Sequence, residues 1–218
     1  MGTLANGSTG TNDTIVGIID ENAQAVFIDR TNFAIYRFST LAVSGDNFTA
    51  SFHAFAGAGN VFPNGQQTDT GTVTGTIAQH SSISGSASIG GATGSAPFNA
   101  SYQKALYEMP ASYATIAGTY SYSLNTSQGT DNATFTVTSD GKFSGSDNFG
   151  CTFSGVLNVP SSTYNAYEVG GSSNCSGTMT GFTGFATYAP ASGNTPANLT
   201  IEYDNGSTLA VAAVANKK

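Results

Sequence analysis

TFTVTSDGKFSGSDNFGCTFSG, residues 134–155, decides the fold. Apolar and polar side chains alternate up to Val137, the chain turns at Ser139-Asp140-Gly141, and the alternation resumes at Lys142. A period of two belongs to a strand with one buried face, and Asp-Gly supplies the backbone freedom of a tight turn. The stretch therefore reads as a hairpin with Phe135 and Val137 inward and the intervening threonines outside. A further strand begins at Cys151.

The same grammar extends in both directions. Toward the C-terminus strands are expected at 118–124, 132–138, 142–146, 151–159, 164–171, 177–189, 198–204 and 207–214. The connections are short, among them Asn205-Gly206, a strong hairpin signal. Consecutive strands joined by tight turns are antiparallel neighbours, and rolling such a meander closed buries its apolar face and removes its edges. Toward the N-terminus strands are expected at 14–20, 25–29, 33–38, 47–56, 70–78, 83–89 and 96–103. TIVGIIDENAQAVFI (14–28) parallels TFTVTSDGKFSGS (134–146), each being strand, acidic turn, strand. The only helical pattern is KALYEMPASYATIAG (104–118), which Pro110 limits to a turn or two. The expected fold is all-β: two up-and-down antiparallel meanders or barrels of about eight strands each, over residues 1–108 and 109–218, with a short helical or irregular linker at the junction.

Composition bounds the function. Charged residues make up 9% of the 218, well under the roughly 25% usual in soluble domains, so hydroxyls rather than charges keep the outer faces wet. Six Lys plus Arg against thirteen Asp plus Glu leave no basic patch for nucleic acid or for an anionic lipid surface. No apolar run approaches the roughly 18 residues of a membrane helix. Met1-Gly2 is read as an added start on a trimmed mature domain. Cys151 and Cys175 have no histidine close by in sequence, which disfavours zinc. A disulfide between them suits a charge-poor extracytoplasmic chain, two buried free thiols being the alternative.

Gly118-Thr119-Tyr120 opens the second meander in the manner of the lipocalin-like, or calycin, barrels. SYATIAGTYSYS (112–123), ATFTVTSDGKFSGSDNFGCTFSGVL (133–157) and GFTGFATYAP (181–190) resemble outer-membrane or periplasmic lipoproteins of proteobacteria, in which a lipidated cysteine precedes two small β units. The first unit departs from that pattern, since LANGSTGTND (4–13) has no aromatic near its start. The resemblance implies a fold and an outer-membrane-anchored location, periplasmic or cell-surface, through an N-terminal lipid removed with the leader. It implies no mechanism.

Chemistry is sparse. His53 lies on the polar side of its strand, beside Thr49, Ser51 and Phe55, and His80 in a turn; both read as surface residues, with paired haem ligation the sharper alternative. Serines abound without a Gly-x-Ser-x-Gly elbow. Asp20-Glu21, Asp140, Asp147 and Asp204 read as turn residues whose carboxylates cap local N–H groups. No catalytic residue, metal site or cofactor is expected. The aromatics Phe153, Tyr164, Tyr167, Phe182 and Phe185 are the candidate ligand-binding residues, and alternation puts Phe182 and Phe185 on opposite faces, one of them outside. The function expected is a non-enzymatic binding module of the envelope or cell surface that meets a protein or glycan partner. A lipocalin-like carrier of a small apolar ligand and a structural or adhesin component are the alternatives.

Overall fold

The computed structural model describes the chain apart from residues 1, 6–11, 21, 33, 58–59, 93, 127 and 208–209, with backbone alone for 2–5 and 12. It divides into two compact units, Met1–Lys104 and Ala105–Lys218. The division falls ahead of the expected junction after residue 108 because Leu106 and Tyr107 are tied into the second unit. The Leu106 carbonyl accepts from Asn165 Nδ2 (3.0 Å), and Tyr107 stacks on Tyr164 at 4.9 Å.

The first unit contains β1 (Gly2–Ala5), β2 (Asn12–Ile19), β3 (Ala25–Asp29), β4 (Ala34–Phe38), β5 (Ala42–Ser44), β6 (Asn47–Phe55), β7 (Thr68–Ala78), β8 (Ser82–Ile89) and β9 (Ala96–Ser101). All pairings are antiparallel, in the order β4-β3-β2-β1-β9-β8-β7-β6-β5. A further β4–β6 pairing brings the ends of that order together, so β4 and β5 act as one interrupted strand along β6 and the sheet is barrel-like with eight staves. The short β1 and β5 were not expected. β1 has four residues and β5 three, too few to show a period of two.

Two helical turns follow, α1 (Lys104–Tyr107) and α2 (Tyr113–Ile116), on either side of Pro110. The second unit is a closed barrel of β10 (Gly118–Thr126), β11 (Gly129–Val137), β12 (Lys142–Asp147), β13 (Thr152–Asn158), β14 (Tyr167–Cys175), β15 (Thr178–Ala189), β16 (Asn198–Asp204) and β17 (Ala210–Lys217). Phe135 and Val137 are buried inside while Thr134 and Thr136 are exposed, as the alternation requires.

Glycine makes such narrow barrels possible. Phe48 pairs with Gly75, Gly75 with Gly85 and Gly85 with Phe98, giving a Phe-Gly-Gly-Phe row across β6–β9. The second barrel repeats it across β12–β15 as Phe143, Gly155, Gly171 and Phe182. A Cβ on Gly155 would stand 2.8 Å from the Phe143 ring, and one on Gly171 2.9 Å from the Phe182 ring. Each phenyl ring thus lies over its partner's bare backbone, and interior positions that read as small are filled by rings from the neighbouring strand.

The hairpins β2–β3 and β11–β12 correspond residue for residue at a constant step. Asp20 N–H donates to Gln24 O and Ala23 N–H to Asp20 O; Thr138 N–H donates to Lys142 O and Gly141 N–H to Thr138 O. Ala23 and Gly141, at the same place in the two turns, both have positive φ, 58° and 82°. Arg30 N–H donates to Thr14 O as Asn148 N–H does to Asn132 O. The likeness between 14–28 and 134–146 is therefore one of three-dimensional structure.

Candidate functional site

The two ends of the second barrel differ. At one end α2 acts as a plug: Ser112 caps it, its hydroxyl accepting from Thr115 N–H (3.1 Å), and Ile116 and Ala111 are buried in the barrel core. Tyr120 Oη donates to Ile116 O (2.8 Å), and Tyr167 Oη accepts from Ser112 N–H (3.2 Å). Lys217 closes the same end with its Nζ 5.8 Å from the centre of the Tyr120 ring. The other end is a mouth, where β10, β12, β14 and β16 end and β11, β13, β15 and β17 begin. A disulfide joins Cys151 to Cys175 on its rim. The two cysteines flank the Thr152–Asn174 pair of adjacent strands, so the bond clamps the β13–β14 hairpin at its open end.

Between plug and mouth lies an apolar cavity of about 30 Å³, walled by Tyr122, Phe135, Phe143, Phe153, Phe182 and Tyr203 among others. Sites for drug-sized ligands run to about 300–1,000 Å³. The barrel interior is filled. A smaller cavity of about 20 Å³ lies in the first unit, beside Phe27, Phe52 and Phe98.

At the mouth four ionisable side chains face inward. The hydroxyls of Tyr122 and Tyr203 are hydrogen-bonded to each other. Burial raises Tyr122 far above the usual phenol range and pushes Tyr203 up to about 12. Asp131 and Asp147 stand above them on adjacent strands, and burial together with the Asp147 charge raises the Asp131 carboxyl. Asp147 Oδ1 accepts from Phe149 N–H and Cys151 N–H, both at 2.9 Å. It is the turn cap expected, with its strand position directed inward.

The five expected aromatics do not form one site. Phe153 and Phe182 share the cavity wall. Tyr167 belongs to the plugged end, and Tyr164 stacks on Tyr107 outside the cavity lining. Phe185 lies on the opposite face of β15 from Phe182, as alternation requires, but it is only 2% exposed and offers no free contact surface. The exposed aromatic is instead Phe149 (43%), with Met179 (64%) the other large apolar side chain at this end. Phe55, expected beside His53 on the polar side, is buried, while His53 is exposed opposite Thr70. His80 sits in the β7–β8 turn at φ 54°, its ring 5.3 Å from Tyr102. Eight residues of extended β7 separate Thr70 from that turn, roughly 26 Å, which rules out joint ligation of one haem or metal by the two histidines. Glu21 lies outside the described residues. Asp204 caps its turn by accepting from Gly206 N–H (2.7 Å).

Sequence reasoning took Asp147 for a plain turn residue and passed over Asp131. A signal was present: the step from Asp13 to Asp131 equals that from Asp29 to Asp147, 118 residues, inside the very hairpins whose likeness was legible.

No protein-family model matches the chain, and no curated protein is similar to it. Among solved structures it is similar to the crystal structure of a "putative outer membrane protein" of Bacteroides fragilis, at 14% identity over all of this chain and 94% of that one, with a TM-score of 0.32. The fold described above rests on the strand pairings of the present chain alone.

Proposed function

We propose that the protein is a non-enzymatic binding module of the bacterial envelope, extracytoplasmic and tethered by an N-terminal lipid, whose outer barrel face and loops meet another macromolecule. The observation that carries this reading is the filled interior: with about 30 Å³ of cavity, the second barrel has no room to carry a small apolar ligand inside. That outside is polar and uncharged over several strands. Ser121, Thr134, Ser146, Thr152 and Asn174 form one row across β10–β14, and Thr119, Thr136, Ser144, Ser154 and Ser172 form the next. A membrane-spanning barrel needs an apolar outward band about 25 Å tall, the inverse of this arrangement. Among the described residues no helix is long and apolar enough to cross a membrane either. The disulfide supports an oxidising compartment.

Native mass spectrometry of gently purified protein tests the reading, together with photo-cross-linkers placed at Thr134 and Ser146 on the outer face. The polypeptide mass alone, with cross-links to one envelope component, is the expected result. A bound hydrophobe released by solvent would overturn it in favour of the carrier.

A further inference from the structure

The repeated hairpin carries the same pair of inward aspartates in both units, and only one unit completes it. In the first, Asp13 and Asp29 are 4% and 1% exposed, and the Asn32 side chain sits between them. Its Nδ2 donates to Asp13 Oδ2 at 2.9 Å and to Asp29 Oδ2 at 2.8 Å. One nitrogen with two N–H groups bridges two carboxylates.

In the second unit the frame is the same. Ala133 pairs with Asp147 as Ile15 pairs with Asp29, and Leu124 pairs with Asp131 as Leu4 pairs with Asp13. Asp147 Oδ1 accepts from Phe149 N–H (2.9 Å) as Asp29 Oδ1 accepts from Thr31 N–H (2.8 Å). The residue at the place of Asn32 is Gly150, which has no side chain; its φ is 87°, and nothing lies within 4 Å of where its Cβ would stand. The bridging amide is missing. Asp131 Oδ1 is shut off from solvent and has no hydrogen-bond partner. Leaving a buried carboxylate oxygen unpaired beside a second carboxylate is costly, and buried acceptors are rarely left so.

The second unit has no cation of its own to offer. Its three basic residues lie at the plugged end: Lys142 pairs with Asp140 (2.7 Å), Lys217 donates to Thr115 O (3.4 Å), and Lys218 N–H donates to Thr119 O (2.9 Å). A cation that bridges the two carboxylates therefore comes from outside the unit. It needs at least two N–H groups on one atom to repeat the Asn32 bridge, and a positive charge to offset two carboxylates. The aromatic rings of Tyr122, Phe153 and Tyr203 beneath the mouth favour an organic cation. A divalent metal fits less well. Calcium takes six to eight oxygens, and the described residues contain no group of three or more His, Cys, Asp or Glu placed to hold an ion.

We propose that the mouth of the second barrel binds a primary ammonium group, which takes between Asp131 and Asp147 the place that the Asn32 amide holds between Asp13 and Asp29. The group is the end of a free alkylamine or of a lysine side chain on a partner. The site is separate from the outer face, so it stands whether or not that face has a macromolecular partner.

The test follows the side-chain carboxyl ¹³C resonances of Asp131 and Asp147 in the intact protein. Titration with n-butylammonium should shift both saturably, while n-butanol, tetramethylammonium, which has no N–H, and Ca²⁺ should not. Gly150→Asn, which restores the amide in a residue that tolerates positive φ, should weaken binding at least tenfold. If that variant does not fold, Asp131→Asn should show the same loss. A blocked tripeptide Ac-Gly-Lys-Gly-NH2 run in parallel distinguishes the sources: tighter peptide binding assigns the group to a partner's lysine, tighter n-butylammonium binding to a free amine. Absence of a saturable shift with n-butylammonium would overturn the proposal. So would equal shifts with tetramethylammonium or Ca²⁺, or unchanged binding in a folded variant.

Discussion

Gly155 lies directly across from Gly171, so close that a Cβ on Gly155 would meet the Gly170 carbonyl at 2.1 Å and the Gly171 Cα at 2.7 Å. The two strands, with Phe143 on one side and Phe182 on the other, touch backbone to backbone. Gly155→Ala forces these atoms apart and should cost about 1–3 kcal/mol by overpacking. Gly170 is the control: it precedes Gly171 on the facing strand, on the outer face, with nothing within 4 Å of its would-be Cβ. Gly170→Ala should be neutral or stabilising by up to about 1 kcal/mol, through the unfolded chain. Urea midpoints of the two variants decide the matter, and equal effects would contradict this account of the core.

The Cys151–Cys175 bond closes a sequence separation of 24 residues. Chain-entropy arguments give such a loop about 3 kcal/mol of stabilisation. Reduction, or the double change to serine, should lower the urea midpoint of the second unit without altering the far-ultraviolet spectrum at low denaturant. An unchanged midpoint would mean that the strand pairing already holds this hairpin without help.

Asn165 ties the long β13–β14 connection to its surroundings. Its Nδ2 donates to Leu106 O (3.0 Å) and Tyr188 O (2.6 Å), and its Oδ1 accepts from Tyr188 N–H (3.0 Å). Asn165→Ala leaves these buried groups unpaired and should cost on the order of 3 kcal/mol. Denaturant titration measures it directly, and a loss under about 0.5 kcal/mol would show that water replaces the amide.

The Asp131 carboxyl is raised in the folded protein by burial and by Asp147. An acid with a raised folded value binds its proton more tightly folded than unfolded, so this group costs stability as pH climbs above the unfolded value of about 4. Asp131→Asn should therefore be more stable than the wild type at pH 7, with the advantage fading below about pH 4. Thermal melts across pH 3–8 test the sign; a variant less stable than the wild type at pH 7 would refute it.

The closing seam of the second barrel is its weakest line. Among the described residues β10 pairs with β17 only at Tyr120–Lys217 and Ser121–Asn216, whereas β14 and β15 share nine residue pairs. The amides of Ser123, Asn125, Ala212 and Val214, which point across the unladdered part, should exchange with solvent before those of β14–β15. Exchange at equal rates in the two regions would show the seam to be as tight as the rest.

Two strands show why some of the fold was legible and some was not. β12 announces itself because Lys142, Ser144 and Ser146 on its outward positions leave Phe143 no other place, and β15 because β-branched and aromatic residues recur along its twelve residues. β1 and β5 are too short to show a period, and only their neighbours' unpaired edges make them strands. The interior glycines were ambiguous for a related reason. An isolated strand cannot say whether the space above Gly145 is empty or is taken by the Phe135 Cβ and the Phe153 ring of the strands on either side.

The order of residues by itself thus determined a tandem all-β chain, its meander connectivity and the inward face of most strands, because period and turn chemistry are local. It also placed Asp13, Asp29, Asp131 and Asp147 at a constant step. Only the tertiary structure decided that the second barrel is filled, that Phe185 is buried, and that Asp131 and Asp147 meet at an open mouth while Lys142 and Lys217 lie at the other end. Register and closure set those relations. They depend on which strands become neighbours across many residues of chain, and no local pattern carries that information.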